Sequence, residues 1–123
     1  MNEEKKEWSV KISLFYREYQ ELKDIAYELD ISVKKLVNKS IKYALKDYKE
    51  NKSIKRSDKI LFLEDDKLKV YSFKIKEKHY EKLKKISDKV DMNVKELVRC
   101  ILSQYPSFVQ QSEERLLEDI WRI

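Results

Sequence analysis

Ser9, Lys11 and Ser13 stand two residues apart and alternate with Trp8, Val10, Ile12 and Leu14. Sixty-one positions later Val70, Ser72 and Lys74 alternate with Tyr71, Phe73 and Ile75. A spacing of two puts each triplet on one face of an extended strand and the apolar residues on the other. Ser donates or accepts a hydrogen bond and Lys donates, so such a face is equipped to bind a partner. Bond-making chemistry is harder to find. The lone His79 and lone Cys100, even with Met92, give too few ligands for a metal, and no nucleophile stands beside a base in the pattern. No enzyme activity, metal or cofactor is expected.

The elements that hold these triplets follow from composition and repetition. The 123 residues carry 28 Lys plus Arg against 23 Asp plus Glu, a formal net charge of +5, with no Gly, one Pro and one Cys. One Cys excludes a disulfide scaffold, and the absence of Gly excludes Gly-rich phosphate loops. No apolar run approaches the ~20 residues of a membrane span, and the first eleven residues do not read as a signal peptide. A soluble cytoplasmic protein without membrane contact is expected. The basic charge is mild, so by itself it permits an anionic partner without requiring one. It is unevenly placed: residues 70–111 carry nine basic and five acidic groups, and residues 112–123 two and four.

Sliding the chain by 61 residues lays residues 8–48 on 69–109 without a gap. Nine identities result: Tyr19/Tyr80, Leu22/Leu83, Lys23/Lys84, Ile25/Ile86, Asp30/Asp91, Val33/Val94, Lys34/Lys95, Leu36/Leu97 and Val37/Val98. Each copy reads as a strand followed by two amphipathic helices. Tyr19, Leu22, Ile25, Ala26 and Leu29, like Tyr80, Leu83, Ile86 and Val90, recur at three and four. Leu36, Val37, Ser40, Ile41, Ala44, Leu45 and Tyr48 give the second helix its apolar face, copied as Leu97, Val98, Ile101, Leu102 and Tyr105. Asp30 and Asp91 fall where a helix ends in a left-handed residue, and Ser32 and Asn93 are good N-caps for the next helix. Asn93 to Glu96 has the spacing of a capping box. Phe15 and Lys76 are poor caps, which leaves the first helix starts loosely defined. One copy, of about 45 residues, cannot bury its own apolar faces, and its strand lacks a hydrogen-bond partner. Two copies supply both. Pairing Ser9 with Lys74, Lys11 with Ser72 and Ser13 with Val70 sets Val10 against Phe73 and Ile12 against Tyr71 on the buried face.

These residues resemble the ribbon-helix-helix superfamily, also called MetJ/Arc or CopG-like. The carriers are the run from Ser9 to Leu14 with the run from Leu22 to Leu36, then Val70 to Ile75 with Leu83 to Leu97. Occurring twice in register, they look like a tandem, two-unit member, a pseudo-dimer within one chain. The expected fold is mainly α with a short two-stranded antiparallel ribbon. The units are 8–50 and 69–105, joined by a basic linker, 51–68, and followed by a C-terminal helix, 106–123. The resemblance implies a sequence-specific double-stranded DNA-binding protein, a transcriptional repressor that inserts its ribbon in the major groove. Ser9, Lys11, Ser13, Val70, Ser72 and Lys74 would then contact bases, with Val70 departing from the polar pattern. Ser32, Val33, Lys34, Asn93, Val94 and Lys95, at the starts of the second helices, would hold phosphates. The alternatives are a plasmid partition or conjugation accessory protein, or an antitoxin whose C-terminal helix binds a toxin.

Four expectations concern the rest of the chain. Lys52, Lys55, Arg56 and Lys59 make a basic surface connection, and residues 60–63 form an apolar tetrad that either adds a strand or covers the helices. Pro106 should end the second unit's last helix. Residues 106–123 should dock on the core, or serve self-association or a protein partner.

Overall fold

The computed structural model describes residues 6–52 and 68–121, with side chains as far as residue 114. The element order is β1 (Glu7–Phe15), α1 (Tyr16–Glu28), α2 (Val33–Asn51), β2 (Leu68–Lys76), α3 (Glu77–Val90) and α4 (Val94–Trp121). The protein is thus mainly helical, and strand-helix-helix occurs twice along it. The expectations for residues 53–67, the tetrad 60–63 included, lie outside the described residues.

The strands form a two-stranded antiparallel sheet in the expected register, from Glu7 opposite Lys76 to Phe15 opposite Leu68. Period-two patterning excludes odd slips of this pairing, because a slip of one residue would turn Val10, Ile12 and Leu14 to solvent. All three are buried, as are Phe73 and Ile75 from β2. They cover a core built from Leu22 and Ala26 of α1, Leu36, Val37, Ile41 and Ala44 of α2, Leu83 of α3, and Val98, Ile101, Leu102, Tyr105 and Val109 of α4. Two stacked aromatic pairs hold the ribbon to the first helices. Trp8 lies on Tyr80 of α3 with centroids 4.8 Å apart, and Tyr71 lies on Tyr19 of α1 at 4.0 Å. Trp8, though on the apolar face, is at the ribbon's end and stays 45% exposed.

The joints follow local chemistry. Asp30 and Asp91 are left-handed, with φ of 56° and 55°. Ser32 Oγ accepts the Lys35 N–H at 3.1 Å, and Asn93 Oδ1 accepts the Glu96 N–H at 2.9 Å. Only half of the capping box at Asn93 forms, because the Glu96 carboxylate takes the Asn93 side-chain NH2 at 2.9 Å instead of the backbone N–H. Phe15 and Lys76 are the caps of α1 and α3 but contribute no side-chain hydrogen bond.

Pro106 does not end the last helix, and no separate C-terminal helix starts after it: α4 runs through to Trp121. Proline costs a helix one hydrogen bond and a steric clash, so packing on both sides must offset it. Tyr105 and Val109 are buried, and the Tyr105 hydroxyl donates to Asp47 Oδ2 of α2 at 2.7 Å. Beyond the proline, Glu113 pairs with Lys39 of α2 at 2.5 Å. The segment just past Pro106 therefore lies along α2.

Candidate nucleic-acid interface

The outer face of the ribbon carries all six expected side chains. Ser9, Lys11, Ser13, Val70, Ser72 and Lys74 are exposed, every one opposite a buried or half-buried face residue of the same strand. Lys11 faces Ser72 and Lys74 faces Ser9 across the ribbon, so the two lysines lie on a diagonal. Ser9 and Ser72 share a hydrogen bond of 2.6 Å between hydroxyls. Val70, 65% exposed, is an apolar tip at one end of this face. The arrangement offers hydrogen-bond donors, acceptors and one methyl-bearing group over a narrow two-stranded surface.

The starts of α2 and α4 hold the second group. Ser32, Lys34, Asn93 and Lys95 are exposed, and Val33 and Val94 are half-buried. Free backbone N–H groups and the positive dipole end make both starts favourable to an anion. Their surroundings differ. Lys34 Nζ donates to Glu7 Oε1 at 2.6 Å. That bond, with the charges of Lys34, Lys74 and Lys76, holds the Glu7 carboxyl below its ordinary pKa, against a smaller opposing effect of burial. The first turn of α2 has no acid, whereas that of α4 contains Glu96. A carboxylate therefore sits beside each start, supplied by the ribbon in one case and by the helix in the other.

Two residues that the sequence pattern did not single out position the ribbon on these helices. Asn38 of α2 is 4% exposed and donates to the Lys74 carbonyl at 3.0 Å and to the Lys34 carbonyl at 2.9 Å. Its Oδ1 accepts the Lys76 N–H at 3.0 Å and lies 3.3 Å from His79 Nδ1, which therefore carries the proton. At the other end Arg99 of α4 donates to the Ser13 carbonyl and reaches Glu18 Oε1 at 3.4 Å, and its guanidinium lies over the Phe15 ring. Glu18 in turn accepts the Phe15 N–H at 3.0 Å. The offset of 61 relates Asn38 to Arg99, Lys74 to Ser13, His79 to Glu18 and Lys76 to Phe15. α2 thus grips a carbonyl of β2 with a neutral amide, and α4 grips the carbonyl at the related position of β1 with a charged guanidinium. The sequence signal was a polar residue on the core side of each apolar run, masked because positions 38 and 99 hold different residue types.

His79 is buried, and this burial lowers its pKa from 6.5 to about 4, helped by the charges of Lys76, Lys78, Lys82 and Lys42. The ring is neutral at pH 7 and serves the Asn38 network. Among the described residues no group of His, Cys, Asp and Glu could hold a metal ion, and no helix is long and apolar enough to cross a membrane. Comparison of the chain with family models, with curated proteins and with solved structures gives no match. The functional reading rests on the geometry and on the residues.

Proposed function

We infer that this chain binds double-stranded DNA sequence-specifically, as a two-unit ribbon-helix-helix protein with both ribbon strands in one polypeptide, and acts as a transcriptional repressor. The observation that carries the reading is the ribbon. Its inner face is buried on four helices, while Ser9, Lys11, Ser13, Ser72 and Lys74 project from the outer face with Val70 beside them. A two-stranded sheet that buries one face and presents a polar one suits a partner into which a narrow ribbon fits. The major groove is such a partner, and it presents acceptors to Lys and both donors and acceptors to Ser. The α2 and α4 starts, at Ser32, Val33 and Lys34 and at Asn93, Val94 and Lys95, then flank the groove as phosphate contacts.

Selection of bound duplexes from a random pool tests this. A shared short element should emerge. Lys11→Ala and Lys74→Ala should each narrow the gap between that element and random DNA by about 1–3 kcal/mol. Recovery of unrelated sequences, or no recovery, would remove the reading.

A further inference from the structure

The two copies of the strand-helix-helix unit have diverged most in the charge of their helix surfaces. On α2, Lys35, Lys39, Lys42, Lys46 and Lys49 recur at four and three, on the face away from the buried Leu36, Val37, Ile41 and Ala44. On α3, Lys78, Lys82, Lys85 and Lys89 do the same, and all four are exposed. The two helices are neighbours, since His79 Nδ1 of α3 lies 3.3 Å from Asn38 Oδ1 of α2. The nine positions related to these by the offset of 61 hold no lysine. On α4 they are Glu96, Cys100, Ser103, Ser107 and Gln110, and on α1 they are Arg17, Glu21, Asp24 and Glu28. These two helices also meet, because Gln110 donates to Glu28 and Arg99 pairs with Glu18. One flank of the molecule, α2 with α3, is therefore strongly basic. The other, α1 with α4, is acidic.

We propose that the occupant of the basic flank is a second copy of this chain, docking head to tail through its acidic flank. Charge complementarity argues for it. Lys82, Lys85 and Lys89 on α3 have the same three-and-four spacing as Glu21, Asp24 and Glu28 on α1, so the rows match in pitch and length. Lys39 with Glu113 shows the contact chemistry within one chain at 2.5 Å. Single exposed pairs contribute little, but several in register steer and orient an encounter. The contact joins two different surfaces, so it leaves a free basic flank at one end and a free acidic flank at the other. It propagates as an open row rather than closing as a symmetric dimer. This association does not depend on DNA, and its failure would leave the DNA reading standing.

The test is sedimentation velocity on the full chain without DNA. Wild type should show a weight-average mass that rises with protein concentration at about 0.01 M salt, and should be monomeric at about 1 M, where the Debye length falls from roughly 30 Å to roughly 3 Å. Reversing Lys82, Lys85 and Lys89 to Glu should weaken self-association about tenfold or more, and so should reversing Glu21, Asp24 and Glu28 to Lys. Mixing the two variants should restore it, and so should carrying all six reversals in one chain. Wild type that remains monomeric at low salt overturns the proposal, as does a mixture that stays dissociated. If the lysine reversal leaves self-association unchanged and weakens binding to a random duplex, the basic flank belongs to nucleic acid instead.

Discussion

The two ends of the ribbon are held by the same geometry with different chemistry. At one end Asn38 is buried, and its amide is fully used by two carbonyls, one backbone N–H and His79. At the other, Arg99 and Glu18 are partly exposed, at 21% and 16%, and make a charged pair around the Ser13 carbonyl and the Phe15 N–H. A strand end needs its carbonyl and N–H satisfied once helices cover it, and either an amide or an ion pair meets that need. The neutral solution can be buried deeply because it carries no charge to desolvate. The charged solution keeps some contact with water, which limits its cost. Because both ends lie in one polypeptide with different residues at 38 and 99, they can adopt different solutions. A symmetric pair of identical chains would be restricted to one.

The largest expected effect comes from the buried leucine at the start of each helix that grips a ribbon end. Leu36→Ala and Leu97→Ala, at related positions with 0% and 2% exposure, should each cost about 2–5 kcal/mol by urea unfolding. A denaturation midpoint left unchanged by either substitution would contradict the burial of that leucine.

The ends themselves should separate at the next level. Asn38→Ala leaves the Lys74 carbonyl and the Lys76 N–H without this partner in a partly buried place, at a cost of about 1–3 kcal/mol. Arg99→Ala should cost less, because water reaches the Ser13 carbonyl and Glu18 still accepts from Phe15. The reverse order would contradict the contrast between the ends.

Acid should also discriminate between the ends. His79 has its folded pKa lowered from 6.5 to about 4, so the unfolded chain binds its proton more readily than the folded one. This contribution to stability is present above about pH 6.5 and is lost as pH falls toward about 4. His79→Gln should flatten the unfolding free energy between those values while leaving the Arg99 end untouched. An unchanged pH profile would place the titration elsewhere.

Much of this was legible from residue spacing alone. Strand register was narrowed by period two, since a slip of one residue would set the apolar face of one strand against the polar face of the other, and the pairing of Ser9 with Lys74 is the one found. The joints followed from Asp30, Asp91, Ser32 and Asn93, whose side chains act on their own backbone and need no tertiary context. Asn38 and Arg99 were not legible, because their partners are far along the chain and the related residues differ in type. Pro106 misled for the opposite reason. Its local rule is sound, but Tyr105, Val109 and Glu113 hold the helix against α2 on both sides of it. The outward triplets were legible as exposed strand residues, and their ligand rests on the resemblance and the shape of the ribbon.

Smaller effects should appear at the two helix starts, which the proposed function sets against phosphates. Lys34→Ala and Lys95→Ala should weaken binding to all duplexes alike, each lowering the salt slope by about 1. Lys34 must first leave Glu7, so Glu7→Gln should tighten binding to random DNA, whereas Leu68, the related position on β2, has no such effect to give. Base-selective losses from Lys34→Ala or Lys95→Ala would move those residues into the groove.

The central claim, that the ribbon reads bases, is tested most directly by exchanging its two outward triplets. Ser9, Lys11 and Ser13 face Val70, Ser72 and Lys74, so the groups offered along the ribbon lack two-fold symmetry. Wild type should therefore select a short non-palindromic element. A chain with Val, Ser and Lys at 9, 11 and 13 and Ser, Lys and Ser at 70, 72 and 74 should fold normally. It should select that element in the opposite orientation relative to a cleavage reagent tethered at one end of α4. Selection and cleavage pattern unchanged by the exchange would show that the ribbon does not read sequence.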